Sequence, residues 1–266
     1  MTTRHSAVAL IPARRGSKRV PGKNVRLLRG HPTLAYTIVP ALESGVFESV
    51  IVSTDSEEIA AVARHYGAEV PFLRPAAFAG DTSPDIEWLE YTLRELAARG
   101  RSWDAFSLLR PTSPFRTADT IQRAWALFGA QEGVDSLRAI EKCAQHPGKM
   151  WVVRGNRMLP LLPFENPALS GSGSGELPTR GVPWHSTPYQ ALPPVYVQNA
   201  SLEIAWARTV LEQHSLAGDV VVPFITEGYE GFDINDPSDW MVAEKLIADG
   251  AAALPRIAAA AYGAVV

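Results

Sequence analysis

The chain has one cysteine, Cys143, among its 266 residues. An intrachain disulfide is therefore impossible, and a cysteine-built metal centre is excluded. Cys143 itself reads as a small buried residue. Nor does any apolar run approach the ~20 residues that a membrane-spanning helix needs. The apolar part of "MTTRHSAVALIPARR" is too short for a secretory signal. The tail "AAALPRIAAAAYGAVV" is interrupted by Pro255 and Arg256, so it is expected to pack on the domain or a partner subunit. Internal repeats and heptads are also lacking. These absences lead to the expectation of a soluble, cytoplasmic protein with no membrane and no nucleic-acid partner.

The sharpest absence is local. From Arg14 to Arg29, "RRGSKRVPGKNVRLLR" holds no acidic residue and seven basic ones, while the rest of the chain holds 18 basic against 28 acidic residues. Like charges repel, and a solvated surface usually mixes its signs. Because the remainder is acidic, a small anionic ligand is expected there rather than a nucleic acid.

Short apolar runs alternate with amphipathic segments. Strands are expected over 7–13, 49–55, 104–111, 135–142, 195–206 and 219–225, with an irregular one over 69–75. Helices are expected over 33–45 despite Pro40, 56–67 capped by Ser56, 83–100 capped by Ser83, 117–130 and 236–250. This order predicts a three-layer α/β fold: a mainly parallel, Rossmann-like sheet with helices on both faces. Residues 145–195, rich in Pro and Gly and containing "LSGSGSGELP" (169–178), read as an insertion or lid within a single domain spanning 1–266. Ligands of open α/β sheets bind at the carboxyl ends of the strands, where 14–24, 53–55 and 110–116 fall.

The basic loop is not a Walker A motif. Gly16 and Gly22 are separated by five residues, and Asn24 stands where a magnesium-binding hydroxyl would follow Lys23. It is still suited to phosphates: glycines permit close backbone approach, amides form an anion nest, and Arg14, Lys18 and Lys23 add charge. Tryptophans 88, 125 and 240 fall at core-like helical positions, whereas Trp184 and Tyr189 suit a pocket lining. His146 and His185 read as structural or solvated rather than catalytic.

"IPARRGSKRVPGKN" (11–24) resembles the N-terminal signature of the acylneuraminate cytidylyltransferase family. The likeness continues in order through "FLRPAAFAGD" (72–81), "LLRPTSPFR" (108–116), "HPGKM" (146–150), "YQALPPVYVQNASLEI" (189–204) and "FDINDPSDWMVAEKLI" (232–247). The resemblance implies a nucleotide-diphospho-sugar transferase-like fold and a homodimer in which the insertion reaches the partner's site. It implies transfer of CMP from CTP to a 2-keto-3-deoxy sugar acid, with Mg2+ and release of pyrophosphate. It further implies catalytic roles for Arg14, Lys23 and Asp233. Ala13, Gly16, Ser17, Asn24, Arg74 and Asp81 would join Arg14 and Lys23 around the nucleotide. Arg110, Thr112, Ser113, Lys149, Tyr189, Gln190 and Asn199 would face the acceptor.

Three departures stand out. Asn235 replaces the second carboxylate of the family's "DID" metal motif, leaving Asp233 with Asn235 or the adjacent Asp236; the latter also suits a helix cap. Arg110 replaces the glutamine of "LQPTSP", and Tyr189 the arginine of "RQxLP". Arg110 is thus a candidate for the acceptor's carboxylate. The acceptor side is the less well matched, so an octulosonate or phosphonate acid is an alternative. A nucleotide-binding protein without turnover is the rival from another class.

Overall fold

The computed structural model describes residues 5–16, 20–80, 82–162 and 183–263. The strands are β1 (Ala7–Pro12), β2 (Leu27–Leu28), β3 (His31–Pro32), β4 (Ser49–Ser53), β5 (Ala105–Leu108), β6 (Ser136–Lys142), β7 (Trp151–Arg154), β8 (Arg157–Pro160), β9 (Tyr196–Trp206) and β10 (Val221–Ile225). The helices are α1 (Ala35–Glu43), α2 (Glu57–His65), α3 (Asp85–Ala98), α4 (Ala118–Gly129), α5 (Ala207–Leu211) and α6 (Pro237–Ala248). The central sheet has the order β10-β6-β9-β5-β1-β4. β1 lies parallel to both β4 and β5, β10 is parallel to β6, and β9 runs antiparallel to β5. This is the mainly parallel α/β fold that the alternating pattern predicts, with one reversed strand.

Side chains of a strand alternate between faces, and β1 divides accordingly. Ala9 and Ile11 pack with α1, α2 and α4 through Ile38, Ile59, Val62, Ile121 and Phe128. Val8 and Leu10 pack on the other face with Trp88, Leu89, Leu93 and Leu96 of α3 and Val210 of α5. Burial on both faces explains why β1 reads as a continuous apolar run. A third cluster joins Val20 and Leu28 of the basic segment to Phe115, Ile234 and Trp240.

The caps follow the sequence at most helices. Ser56 accepts from the Ile59 amide, Thr117 and Thr120 form a capping box, and Asp236 and Asp239 form another. Pro40 lies inside α1. Two expectations are corrected. Ser83 does not cap α3: Pro84 holds the N-cap position, and the Ser83 hydroxyl donates to Ala77 O at 3.4 Å. Residues 69–75 form no strand; only Glu69 bridges to Ile51, because Pro71 and Pro75 interrupt the segment and Arg74 turns inward.

By its contacts the chain divides into two compact units, 1–140 with 198–266, and 141–197. In the second, β7 and β8 pair as an antiparallel hairpin. There His146 is buried: its Nδ1 accepts from the Gly148 amide at 3.0 Å, its Nε2 lies 3.0 Å from Pro193 O, and its ring stacks on Trp184. The expected Gly/Ser tract at 169–178 falls outside the described residues. In the first unit the C-terminal segment packs on α2, with the Tyr262 amide donating to Tyr66 Oη at 3.1 Å. No helix among the described residues is long and apolar enough to cross a membrane.

Candidate active site

At the carboxyl end of β1 the chain turns through the basic loop. Gly22 has φ +64°, a left-handed conformation that side chains beyond Cα disfavour, and its carbonyl accepts from the Val25 and Arg26 amides at 2.9 and 2.8 Å. Val20 anchors the loop in the third apolar cluster, and Arg26 lies 4.1 Å over the Trp240 ring. A Cβ on Gly16 would meet nothing within 4 Å, so packing makes no demand for glycine there. Asn24 is buried, and its amide donates to Arg14 O at 3.0 Å. Lys23 Nζ donates to Ile234 O at 2.7 Å. Ala13 contributes only to the scaffold on present contacts: its side chain is buried, and its amide donates to Ser53 O at 2.9 Å.

These groups border a cleft of about 300 Å³ lined by Arg14, Lys23, Asn24, Arg74, Arg110 and Thr112, together with Phe78, Gly80, Ser83, Asp85 and Trp88. Arg74 enters from the loop after β4. Its Nε donates to Ser53 Oγ at 3.0 Å, its Nη2 to Ser53 O at 2.9 Å, and its guanidinium lies 4.4 Å over Trp88. Burial pulls its pKa down to about 10, opposed by Asp85 and Asp55, so it remains charged at neutral pH.

Arg110, at the end of β5, is held by two carboxylates. Its Nη2 donates to Asp85 Oδ2 at 2.6 Å and to Glu203 Oε1 at 3.2 Å. Glu203 is buried on β9 and also pairs with Arg138. The sequence reading leaves Arg110 an open cation; here its charge is already answered. Burial pushes the Asp85 carboxyl up, but the Arg110 charge, the Trp88 indole bond and Arg74 together hold it below the usual carboxylate range.

Below the cleft, Arg116 is completely buried. It donates to Ser201 O, to Thr37 Oγ1 at 2.8 Å and to Arg110 O at 3.3 Å, joining β9, α1 and the end of β5. Burial lowers its pKa to about 9. Ser113 is buried close by in sequence, with no partner for its hydroxyl.

Asp233 precedes the Ile234 whose carbonyl receives Lys23. Its Oδ2 accepts from Asn235 Nδ2 at 2.5 Å, while its Oδ1 is buried without a partner. Asn235 thus acts toward Asp233 as a donor. Asp236 caps α6, accepting from the Ser238 and Asp239 amides.

The structure therefore brings Arg14, Lys23, Asn24, Arg74, Arg110 and Thr112 to one cleft. Asn199, in the same unit, donates to Thr226 Oγ1 at 2.9 Å. Lys149, Tyr189 and Gln190 belong to the second unit. There Lys149 Nζ donates to His185 O at 3.1 Å and Thr187 O at 2.7 Å, and Tyr189 Oη donates to Cys143 O and Ala144 O. Ser17 and Asp81 lie outside the described residues. Sequence reasoning misses Asp85, the cleft-lining role of Trp88, and the Glu203–Arg138 pair. Its one available signal is a glutamate at an alternating position of the otherwise buried strand "SLEIAW".

A glycine-punctuated cationic loop after the first strand of such a sheet, beside a cleft with aromatic lining, is suited to the phosphates and base of a nucleotide, and the comparisons with known proteins make the class a nucleotidyltransferase. The cytidylyltransferase family model matches residues 8–91. The CMP-N,N'-diacetyllegionaminic acid synthase of Legionella pneumophila is 35% identical over 247 residues, covering 90% of this chain and 95% of that protein. The N-acylneuraminate cytidylyltransferase of Escherichia coli is 43% identical over 129 residues, 48% of this chain and 30% of that one. A solved CMP:2-keto-3-deoxy-manno-octonic acid synthetase complexed with CTP has a TM-score of 0.61 at 15% identity, covering 92% of this chain and 99% of that one; this is likeness of fold. The chain belongs to the cytidylyltransferase family.

Proposed function

We propose that this chain transfers the cytidylyl group of CTP to a 2-keto-3-deoxy sugar acid of the nonulosonic type and releases pyrophosphate. The observation that carries the reading is the convergence of Arg14, Lys23, Asn24 and Arg74 on one cleft at the carboxyl end of β1. The full-length likeness to the Legionella synthase supports the acceptor class.

The acceptor's anomeric hydroxyl attacks the α-phosphorus in line, losing its proton as the new P–O bond forms and the bond to pyrophosphate breaks. Negative charge grows on the departing pyrophosphate. Lys23 and Arg14, fixed before the reaction by Ile234 O and Ala79 O, stabilise that charge without having to reorganise. Asn24 holds the loop backbone at Arg14. Thr112 O accepts from the Ile234 amide at 2.9 Å and keeps the 233–235 segment beside the loop.

Mg2+ fits the donor set. The described residues contain no cluster of three metal-ligating side chains, but magnesium in such sites takes one or two carboxylates and completes its shell with phosphate oxygens and water. Asp233 would hold it through the unpartnered Oδ1, with Asn235 orienting the carboxylate through Oδ2. When bound, the ion supplies Lewis-acid neutralisation of the phosphates.

We further propose a homodimer. The β7–β8 hairpin exposes Val153, Met158 and Leu159 by 71%, 55% and 57%, an apolar surface suited to a second copy.

Pyrophosphate release from CTP across a panel of nonulosonic, octulosonic and phosphonate acids tests the reading. Turnover with a nonulosonic acid supports it, and turnover with only another acid moves the chain to that substrate. CTP binding without turnover favours the rival nucleotide-binding protein, for which the loss of a metal-motif carboxylate at Asn235 speaks.

A further inference from the structure

Arg116 is completely buried, and among the described residues no carboxylate answers its charge. The other arginines around the cleft floor differ. Arg74 lies beside Asp85 and Asp55, Arg110 pairs with Asp85 and Glu203, and Arg138 pairs with Glu203. Arg116 has neutral acceptors instead: Ser201 O, Thr37 Oγ1 and Arg110 O. A buried charge without a counter-ion is costly, and an apolar side chain of similar volume would fill the same space at less cost. Packing alone therefore does not account for Arg116.

Its three acceptors lie where the sheet gives way to the cleft. β5 and β9 pair from Ala105–Trp206 to Leu108–Glu203, and Ser201 lies two residues past the last pair. There β5 turns away, and the Arg116 guanidinium meets the β9 carbonyl. The same guanidinium grips Arg110 O at the start of the turn, where Thr37 Oγ1 and the Ser113 amide also donate, each at 3.4 Å. Residues 110–116 are thus closed on themselves and held to α1 and β9. One more bond carries this arrangement to the reacting groups. Thr112 O accepts from the Ile234 amide at 2.9 Å, and Ile234 O accepts from Lys23 Nζ at 2.7 Å. The buried side-chain polar atoms without a partner among the described residues are Ser113 Oγ, Arg116 Nε, Ser201 Oγ and Asp233 Oδ1. All four belong to this turn, to the β9 residue it grips, or to the segment it supports. Such costs gather where function, and not stability, sets the residues.

We propose, on the reading that the cleft carries out cytidylyl transfer, that Arg116 is a positioning residue for that reaction. It touches no substrate. Its planar fork fixes the 110–116 turn, and the turn fixes the 233–235 segment through Thr112. That segment in turn holds the Lys23 ammonium and the Asp233 carboxylate at the triphosphate. A lysine at 116 would keep the charge but is a flexible point donor, so the three acceptors would no longer be held at fixed spacing. Small misplacement of reacting groups costs far more in rate than in nucleotide affinity.

The experiment compares the parent with Arg116→Lys and Thr37→Val by steady-state kinetics and thermal melts. Calorimetry adds the binding of CTP, and of Mg2+ to the CTP complex, without acceptor. Arg116→Lys should lower kcat by about ten- to a hundredfold while the KM for CTP moves little. Mg2+ binding to the CTP complex should weaken by about tenfold. Thr37→Val keeps the shape of the side chain and removes its hydroxyl from the cluster. It should shift both quantities in the same direction by less, and it carries the comparison if Arg116→Lys does not fold. Gly218→Ala, where Asp135 crowds the new Cβ, is the control for lost stability and should leave both quantities as in the parent. A variant that melts early but keeps parental kcat and Mg2+ affinity overturns the inference and leaves Arg116 a structural residue. Failure of both variants to fold, beside a folded Gly218→Ala, does the same. A raised acceptor KM with kcat unchanged would place the effect on the acceptor and also overturns it. In each of these cases turnover of CTP by the parent leaves cytidylyl transfer standing. A parent that neither binds nor turns over CTP overturns the wider reading, and this inference with it.

Discussion

Lys23 Nζ donates to the carbonyl oxygen of Ile234 at 2.7 Å, across 211 positions of sequence. The bond joins the basic loop to the segment that carries Asp233. The proposed pyrophosphate ligand and the proposed metal ligand are thereby placed by one stretch of backbone, and neither depends on the other's substrate to find its position.

Lys23→Ala should lower kcat by roughly 10²–10³, the usual cost of losing one preorganised electrostatic donor. The fold should persist, since Val20 and Arg26 still anchor the loop on the cluster around Trp240. Steady-state kinetics beside a thermal melt separate the two. Near-parent turnover in a folded variant would remove Lys23 from the mechanism.

Asp233→Asn replaces the charged oxygen that has no protein partner. The Mg2+ concentration for half-maximal rate should rise by roughly tenfold or more, the usual cost of weakening one hard-oxygen ligand. Magnesium titration of the CTP complex by calorimetry should show the same loss without turnover. An unchanged metal dependence would place the ion elsewhere.

The strands of the first unit and their mainly parallel arrangement are legible because β1, β4 and β5 are buried and so read as unbroken apolar runs; their order in the sheet is not. The loop was legible because its charge is one-sided. The floor of the cleft was not. Asp85 looks like an ordinary first-turn acid of α3, favoured by the helix dipole wherever it points. Arg110 looks like a free cation because the carboxylates that hold it lie 25 residues before it and 93 after it. Trp88 is read as core and is core, yet the same ring also supports Arg74. The break in the 69–75 strand is local, set by two prolines and by the burial of Arg74 against Ser53.

Gly218 should be intolerant of substitution for a reason unrelated to the site. Its φ is +67°, and a Cβ there would lie 2.3 Å from Asp135 Cβ. Asp135 meanwhile accepts from the Asp219 and Val220 amides at 2.9 and 3.0 Å, fixing the entry to β10. Gly218→Ala should cost about 3 kcal/mol. The midpoint of thermal unfolding would fall by roughly 5–10 °C. KM for CTP should stay at the parent value, and a parent-like melt would contradict the assignment.

The proposed dimer can be tested on the β7–β8 hairpin. Val153→Glu places one charge on the most exposed apolar side chain of the hairpin and, facing the neutral Met158 across the strands, should not disturb the fold of a monomer. Sedimentation analysis should show the parent as a dimer and the variant shifted to monomer, with association weakened by roughly a hundredfold or more. A dimer of unchanged affinity would move the interface to another surface.

The most direct test of the central claim follows the phosphates themselves. CTP labelled at the α-phosphate, incubated with Mg2+ and a nonulosonic acid, should pass its label into a CMP–sugar diester, identified by mass and by its single phosphodiester phosphorus resonance. CTP labelled at the γ-phosphate should release all its label as pyrophosphate in equal amount. Orthophosphate with CDP, or an α-label that remains in free nucleotide while pyrophosphate is lost, would contradict cytidylyl transfer.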